Sequence, residues 1–538
     1  MPIRRSALVL LAATVSAGWG FAPRASAGSL PVVVHDVQAS VDTYGASLAS
    51  PVQPNTEIEP SVAVNPGDAN NVVAGFQVGR VDAGGDADNG FATSFDGGQT
   101  WTYGNLPTIT KSAPGCPDST KPGCAFDRAS DAVVTFGKDP TGAAYKGYFV
   151  YFSSLVFDDT SQNALPSGMA INVSADGGKT WSDGVVLESD LIGGLNDKNW
   201  VVVDNGTGTG HHTGRVYVVW DRVDPVVYSY CDPDGSGTAI NGTGCDKLGN
   251  WSNANGNGFY TLYPGQGIGT MPVVLNNGDL GIMFSSLATT PCTAPQENPQ
   301  CGTPGGNNIA WEYIAGAGSV VWPAPLPAPN VAVTIANYYS NGITKQRAGS
   351  LPQVALDPVT GDVFVVWEDN RFRTDDGAIP GSGDASNQND PVFSVSTPTA
   401  LGVVGLTWSA PQRIDSTAPL DDHVDRYNPT IAIGPDGIVR VAYRLRNEDP
   451  AAGFNMSTGL GTSIDTYYQE SSDQGTTWST PLKVDTTQNT PDASFGAFSR
   501  GGLFEGDYEQ IAAAGFDQSY VVRDEAWNAA PAQFSSCA

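Results

Sequence analysis

The amino-acid sequence predicts an all-β protein, on three observations. Glycine and proline are abundant, 64 and 38 residues in 538, while only 15% of the chain is charged; such a composition suits many short strands joined by tight turns better than helices. The apolar runs are short, rich in β-branched residues, and bounded by Gly, Pro, Asn and Asp, as strands are. Those runs also recur at a near-constant interval along the whole chain, which is the mark of a repeat architecture.

Composition sets further bounds. Hydrophobic residues make up 40% of the chain, too many for a disordered protein, and no central stretch is apolar enough to span a bilayer. Acidic residues outnumber basic ones 55 to 26, a formal charge of −29. That balance argues against a nucleic-acid partner, whose phosphates are neutralised by Lys and Arg.

The first element, residues 1–27, reads as a secretory signal. Arg4 and Arg5 form a basic start, Ala7 to Ala13 begin an apolar region, and Ala25-Ser26-Ala27 is a small-residue cleavage site. The protein is therefore expected outside the cytoplasm, secreted or periplasmic, with residues 28–538 as one domain. Cysteine usage agrees. Cys116 and Cys124, Cys231 and Cys245, and Cys292 and Cys301 form three close pairs in Gly/Pro/Asn-rich sequence, leaving Cys537 over; disulfides of this kind staple loops in an oxidising compartment.

The repeating element is a short apolar run, a turn, and a β-branched run often closed by an aromatic. It is clearest from Glu59, Leu351 and Asn428, and weaker from Ser130, Lys198, Met271 and Tyr508. Aligned on Pro60, the starts fall at Asp131, Asn199, Pro272, Pro352, Pro429 and Glu509, about 75 residues apart. Each unit reads as a β-hairpin followed by further strands. A four-stranded blade cannot bury both faces alone, but radial stacking buries them and leaves only short edges. The expectation is a single β-propeller of seven four-stranded antiparallel blades. Six blades result if Met271 onward is an insertion, and Pro31 to Val37 would complete the last blade.

A second motif follows in three of the units: Ser94-Phe-Asp96-Gly-Gly98-Gln-Thr100-Trp101, Ser174-Ala-Asp176-Gly-Gly178-Lys-Thr180-Trp181 and Ser471-Ser-Asp473-Gln-Gly475-Thr-Thr477-Trp478, with a degenerate copy at Thr407-Trp408. Asp and Ser side chains can hydrogen-bond the turn backbone, Gly supplies positive φ, and Trp packs between sheets. These turns resemble the Asp-box, or bacterial neuraminidase repeat, of the sialidase superfamily of β-propellers. With the hairpins, the resemblance covers about residues 55–527. In that family the boxes are structural and lie opposite the active site, so they identify a scaffold rather than a reaction.

Propeller geometry would gather the residues just before each start around one channel mouth. They are unusually polar: Glu57, Glu59, Asp127, Arg128, Asp197, Lys198, Arg347, Asp425, Arg426, Glu505, Asp507 and Tyr508. The family resemblance implies an exo-α-sialidase-like glycoside hydrolase, with arginines on a substrate carboxylate, a Tyr nucleophile and a carboxylic acid/base. By chain order Arg347 and Arg426 look like the second and third arginines, Tyr508 like the nucleophile, Glu505 or Glu509 like its activator and Asp131 or Asp127 like the acid. Tyr427 is a second Tyr candidate. The R-I-P element carrying the family's first arginine has no counterpart here, and Arg128 or Arg80 would stand in for it. The partner implied is a carbohydrate, sialic acid or another acidic sugar; the alternative is a non-catalytic binding propeller. No cofactor is called for. A structural Ca2+ in the loops is left open, although Asp232-Pro-Asp-Gly-Ser-Gly has Thr243 where a calcium loop ends in Glu.

Overall fold

The computed structural model describes residues 4–12, 31–44, 52–81, 84–116, 120–158, 166–190, 196–222, 225–233, 244–252, 259–286, 307–314, 333–338, 346–347, 351–373, 388–398, 407–420, 422–455, 462–485, 497–499, 502–516 and 518–526. Among them the chain is all-β, and antiparallel strands follow one another in groups of four.

The first group is Val52–Asn65, Asp68–Val81, Asp86–Ser94 and Thr102–Asn105. The second is Arg128–Lys138, Tyr148–Phe157, Ser167–Ser174 and Val185–Asp190; a single pairing of Asp86 with Ala129 joins the two into one eight-stranded sheet. The third is Asp197–Val203, Val216–Asp221, Val226–Cys231 and Tyr260–Tyr263. The fourth is Gly267–Val274, Leu280–Ser286, Asn307–Ile314 and Val333–Tyr338. Gln353–Leu356, Val363–Asp369, Asp390–Ser396 and Gln412–Arg413 make the fifth. Val424–Ile433, Val439–Asn447, Ile464–Ser471 and Leu482–Lys483 make the sixth. A seventh pairs Gln510–Ala514 and Gln518–Ala526 with two strands from the other end of the chain, Arg4–Ala12 and Val32–Gln38.

The second strand of each group explains the packing. Val216 to Trp220 and Val363 to Val366 have no exposed surface at all, because an unbroken apolar run presents side chains to both faces and both are covered. The first strand of each group lies against the first strand of the next, and that of the seventh lies against that of the first. One core cluster runs continuously from Val133 through Trp200, Trp220, Met283 and Trp367 to Tyr508.

The seventh group contains the run expected to complete it, but with a difference. Val32–Gln38 does not pair with Gln518–Ala526 directly; Arg4–Ala12, read in the sequence as part of a removable leader, lies between them and pairs with both. Nine residues, of which the first three are Arg4, Arg5 and Ser6, are too short to cross a bilayer and long enough for a strand. Ala25 to Ala27 lie outside the described residues.

The three Ser/Asp/Gly/Thr/Trp turns share one set of hydrogen bonds. The amides of Gly98, Gly178 and Gly475 donate to the hydroxyls of Ser94, Ser174 and Ser471 at 2.8, 2.9 and 2.8 Å. The amides of Thr100, Thr180 and Thr477 donate to the carboxylates of Asp96, Asp176 and Asp473 at 2.9, 2.9 and 2.8 Å. Burial works to raise these three carboxyls, and the hydrogen bonds outweigh it, holding each below its ordinary range. Trp181 packs between Phe91 and Phe152 of the first two groups. Disulfides join Cys116 to Cys124 and Cys231 to Cys245, with Cα atoms 5.3 and 5.8 Å apart. Cys292, Cys301 and Cys537 lie outside the described residues. Among the described residues no helix is long and apolar enough to cross a membrane.

Candidate active site

The site is built by one backbone irregularity used again and again. In five groups the first strand slips by one residue against the second, at Ile58/Ser61, Ser130/Val133, Asp197/Asn199, Ile268/Met271 and Tyr427/Thr430. A β-bulge of this kind re-aims a side chain. The bulged residue has positive φ at Glu59 (50°), Asp131 (49°), Asn428 (54°) and Gly269 (73°). Lys198 is the bulged residue of the third group; Leu351 and Tyr508 stand two residues before the first paired residues of the fifth and seventh groups, Gln353 and Gln510, as Glu59 stands two before Ser61. This corrects the repeat alignment. Asp131 matches Glu59 rather than Pro60, and Thr270 rather than Pro272 takes the Pro60 position, because register follows the bulge and not the proline.

Four of these residues come together. A cavity of about 180 Å³ is lined by Glu59 and Arg80 of the first group, Asp131 of the second, Asp197 at the start of the third, and Asp507 and Phe504 from the segment entering the seventh. Beside it, Lys198 lays its Nζ 3.5 Å from the centre of the Tyr508 ring and 4.4 Å from that of Trp200. The two rings meet edge to face at 5.9 Å. Neither Lys198 Nζ nor Tyr508 Oη has a hydrogen-bond partner among the described residues, and both side chains are at least 95% buried. Glu59 accepts hydrogen bonds from Gln77 and from the Asp507 amide. Arg80 pairs with Asp86 at 3.0 Å and covers the Phe504 ring at 4.9 Å.

Burial in this setting moves protons. It pushes the Glu59 carboxyl well above its ordinary range, helped by the charges of Asp131 and Asp507. It lowers the Lys198 ammonium, against the pull of Asp131, Glu59 and Asp507. It raises the Tyr508 phenol, and Glu59 and Asp131 add to the effect. A carboxyl whose proton affinity burial raises, set beside other carboxylates, is the kind of arrangement from which a general acid is drawn.

The other expected residues stand elsewhere. Arg426 is held by Asp422 at 2.6 Å, Asp390 at 3.5 Å and Asp415 at 3.8 Å, in a buried network shared with Arg373 and Arg413. Arg128 lies 3.6 Å from the carboxylate of Asp127. Neither arginine lines the cavity. Arg347 pairs through its backbone with Phe504, a cavity-wall residue, and its side chain lies outside the described residues. Glu505 accepts a 2.8 Å hydrogen bond from the hydroxyl of Tyr427, not of Tyr508. The structure thus brings Asp131 and Tyr508 together and leaves Glu505, Arg426 and Arg128 apart. Glu59 and Lys198 were visible in the sequence only as members of the polar set before the repeats; their shared bulge position is the signal that would have selected them. Among the described residues no cluster of three His, Cys, Asp or Glu side chains is arranged to hold a metal ion. The Gly-rich residues that follow Asp232 and Pro233, where a calcium loop was weighed, lie outside the described residues.

No protein-family model matches the chain, and no curated protein does. Among solved structures it is similar to the intramolecular trans-sialidase of Ruminococcus gnavus (12% identity, 75% of this chain and 92% of that one, TM-score 0.40). It is similar also to the Hadza microbial sialidase Hz136 (11%, 82% and 87%, 0.39) and to an α-L-arabinofuranosidase of Fusarium graminearum (12%, 73% and 89%, 0.38). The first two are of the sialidase kind that the three turns resemble. At this similarity no residue role passes from those proteins to this chain.

Proposed function

We propose that this chain is an exported, seven-bladed β-propeller that binds a sugar in the Glu59–Asp131–Asp507 cavity and hydrolyses a glycosidic bond there. Glu59 donates the proton to the leaving oxygen, and Asp131 is the opposing carboxylate. The observation that carries the reading is a cavity lined by the buried Glu59, whose carboxyl burial pushes above its ordinary range, together with carboxylates from other groups. The ring of seven is supported by the order in which first strands touch. Export is supported by two disulfides.

The exo-α-sialidase form of this reading has Tyr508 as nucleophile, Glu505 as its activator, and Arg347, Arg426 and Arg128 on a substrate carboxylate. It asks more of the residues. Tyr508 would have to lose a proton that burial and nearby acids hold on, and Arg426 would have to leave Asp422. The two-carboxylate form asks for neither, and we favour it.

A panel of fluorogenic sialosides, uronosides and neutral glycosides, run with wild type and Glu59→Gln, tests the proposal. Wild-type turnover of one class is expected, falling about 10²- to 10⁴-fold in Glu59→Gln, the usual worth of a positioned general acid. Undiminished turnover in that variant removes Glu59 from the reaction. Sugar binding with no turnover by wild type leaves the non-catalytic binding module.

A further inference from the structure

The side chain that fixes Glu59 comes from the neighbouring strand. Both Glu59 oxygens accept from nitrogen, Oε1 from the Asp507 backbone amide at 2.9 Å and Oε2 from the side-chain amide of Gln77. Gln77 has no exposed surface and does not line the cavity, so it reaches a ligand only through Glu59. Its own oxygen accepts from Arg80 at 3.3 Å, and Arg80 donates to Asp86 at 3.0 Å. A guanidinium has donors only, so the Gln77 oxygen must face Arg80 and its NH2 must face Glu59.

That meeting needs a break in the strand. Gln77 and Arg80 lie three residues apart in Asp68–Val81, where regular alternation sends side chains to opposite faces. Gly79 between them has a φ of 76° and interrupts the alternation. The result is a buried line of hydrogen bonds running from Asp86 through Arg80 and Gln77 to a carboxyl of the cavity wall. Each bond in such a line polarises the next, and the charge on Arg80 strengthens the Gln77 amide as a donor.

The charged groups that act on Glu59 are Asp131 of the second group, Asp507 of the segment entering the seventh and Lys198 of the third, with the Tyr508 phenol beside them. Burial and the two aspartates favour the proton on Glu59. N–H donors aimed at its oxygens favour the anion instead. A general acid passes through both states, because giving up its proton leaves a carboxylate behind.

We propose that Gln77 is the positioning residue of the site, an inference that rests on the role given to Glu59 above: backed by Arg80, it fixes the Glu59 carboxyl at the cavity wall and holds the carboxylate that remains when the proton passes to the leaving oxygen.

Two variants test this. Gln77→Met keeps the volume and removes the donor; Gln77→Glu keeps the shape and the Arg80 contact but turns an oxygen toward Glu59. In full-length protein labelled with [5-13C]glutamate, with Glu59→Gln to identify the resonance, the Glu59 carboxyl should titrate about one pH unit higher in Gln77→Met and higher still in Gln77→Glu, where a second carboxylate adds its charge. With the fluorogenic glycoside that wild type turns over, Gln77→Met should lower kcat about ten-fold with KM held within about two-fold, and the alkaline limb of its pH profile should move up with the Glu59 titration. Gln77→Glu should regain part of its turnover in acid, where the introduced carboxyl carries a hydrogen to donate. Thermal melts establish that both variants fold. A Glu59 titration unmoved in both folded variants overturns the proposal. So does lost turnover with an unmoved pH profile, the mark of an amide that only fills space. A Glu59 titration that moves in a protein hydrolysing no glycoside sinks the hydrolase reading and leaves the hold of Gln77 on Glu59 standing.

Discussion

The first strands of the groups use one position for opposite ends. On one side Tyr508, Glu59, Asp131 and Lys198 occupy it, and their side chains gather around a cavity. On the other side stand Gly269, Leu351 and Asn428. Leu351 lies so close over Gly269 that an added Cβ would come within 2.8 Å of it, and the Asn428 amide donates to Glu368. The backbone device is common to both halves, so the bulge alone makes no site. What differs is side-chain chemistry at one position per group: charged residues where a space is left, and small or apolar ones where the space is closed.

The sharpest way to break the comparison is Glu59→Gln, for which the expected loss of turnover is the largest effect named here. Its stability should move the other way. Because the folded state raises the Glu59 pKa, it still binds a proton at pH values where the unfolded chain has already released it. Stability linked to Glu59 is therefore full below the ordinary carboxylate range and is lost as pH rises toward the folded pKa. Glu59→Gln should flatten that part of a pH–melting curve. A steeper fall in the variant would mean that Glu59 is charged in the folded protein.

Gly269→Ala probes the closed half. It places a side chain at a φ of 73° and drives Cβ against Leu351, so a loss of about 1–3 kcal/mol is expected from strain and overpacking together. Calorimetric melting would show it. If the closed half is as loosely filled as the open one, only the backbone strain of the positive φ will remain, about 1 kcal/mol, and the contrast between the halves fails.

The boxes should sit below that. Asp96→Ala removes acceptors for the Gln99 and Thr100 amides, a loss like that of a helix cap, about 1 kcal/mol. Since those hydrogen bonds hold Asp96 below its ordinary pKa against the effect of burial, its contribution is present at neutral pH and lost as pH falls through the folded pKa. Sugar binding at the cavity should be unchanged; a coupled loss of affinity would contradict a purely structural box.

How much of this was legible follows the same division between local and long-range signals. The hairpins were readable because runs such as Val216-Tyr-Val-Val-Trp220 carry their burial in the residues themselves. The Ser/Asp/Gly/Thr turns and two disulfides were readable because their partners lie within a few residues of one another. Asp131 and Tyr508 could be picked out as polar residues opening a repeat. Nothing local tells that Asp390 and Asp415, both more than ten residues earlier in the chain, converge on Arg426. Nor does chain order reveal that the hydroxyl reaching Glu505 is that of Tyr427, 78 residues distant, rather than that of Tyr508, three residues on.

Those two tyrosines make the finest test, because they differ by one hydrogen bond. Both are buried, and burial raises both phenols. Tyr427 donates at 2.8 Å to Glu505, so Tyr427→Phe removes a hydrogen bond to a charged group and should cost about 1.5–3 kcal/mol. Tyr508 Oη has no such partner among the described residues. Tyr508→Phe deletes a buried hydroxyl without breaking a bond and keeps the ring under Lys198, so its stability should lie within about 0.5 kcal/mol of wild type. With stability held, turnover by Tyr508→Phe becomes a clean reading of chemistry. Retained turnover fits Glu59 and Asp131 as the acting pair, with Tyr508 as the seat of the lysine. Loss of turnover in a fully stable Tyr508→Phe would instead make the phenol oxygen the attacking atom and restore the sialidase form of the mechanism.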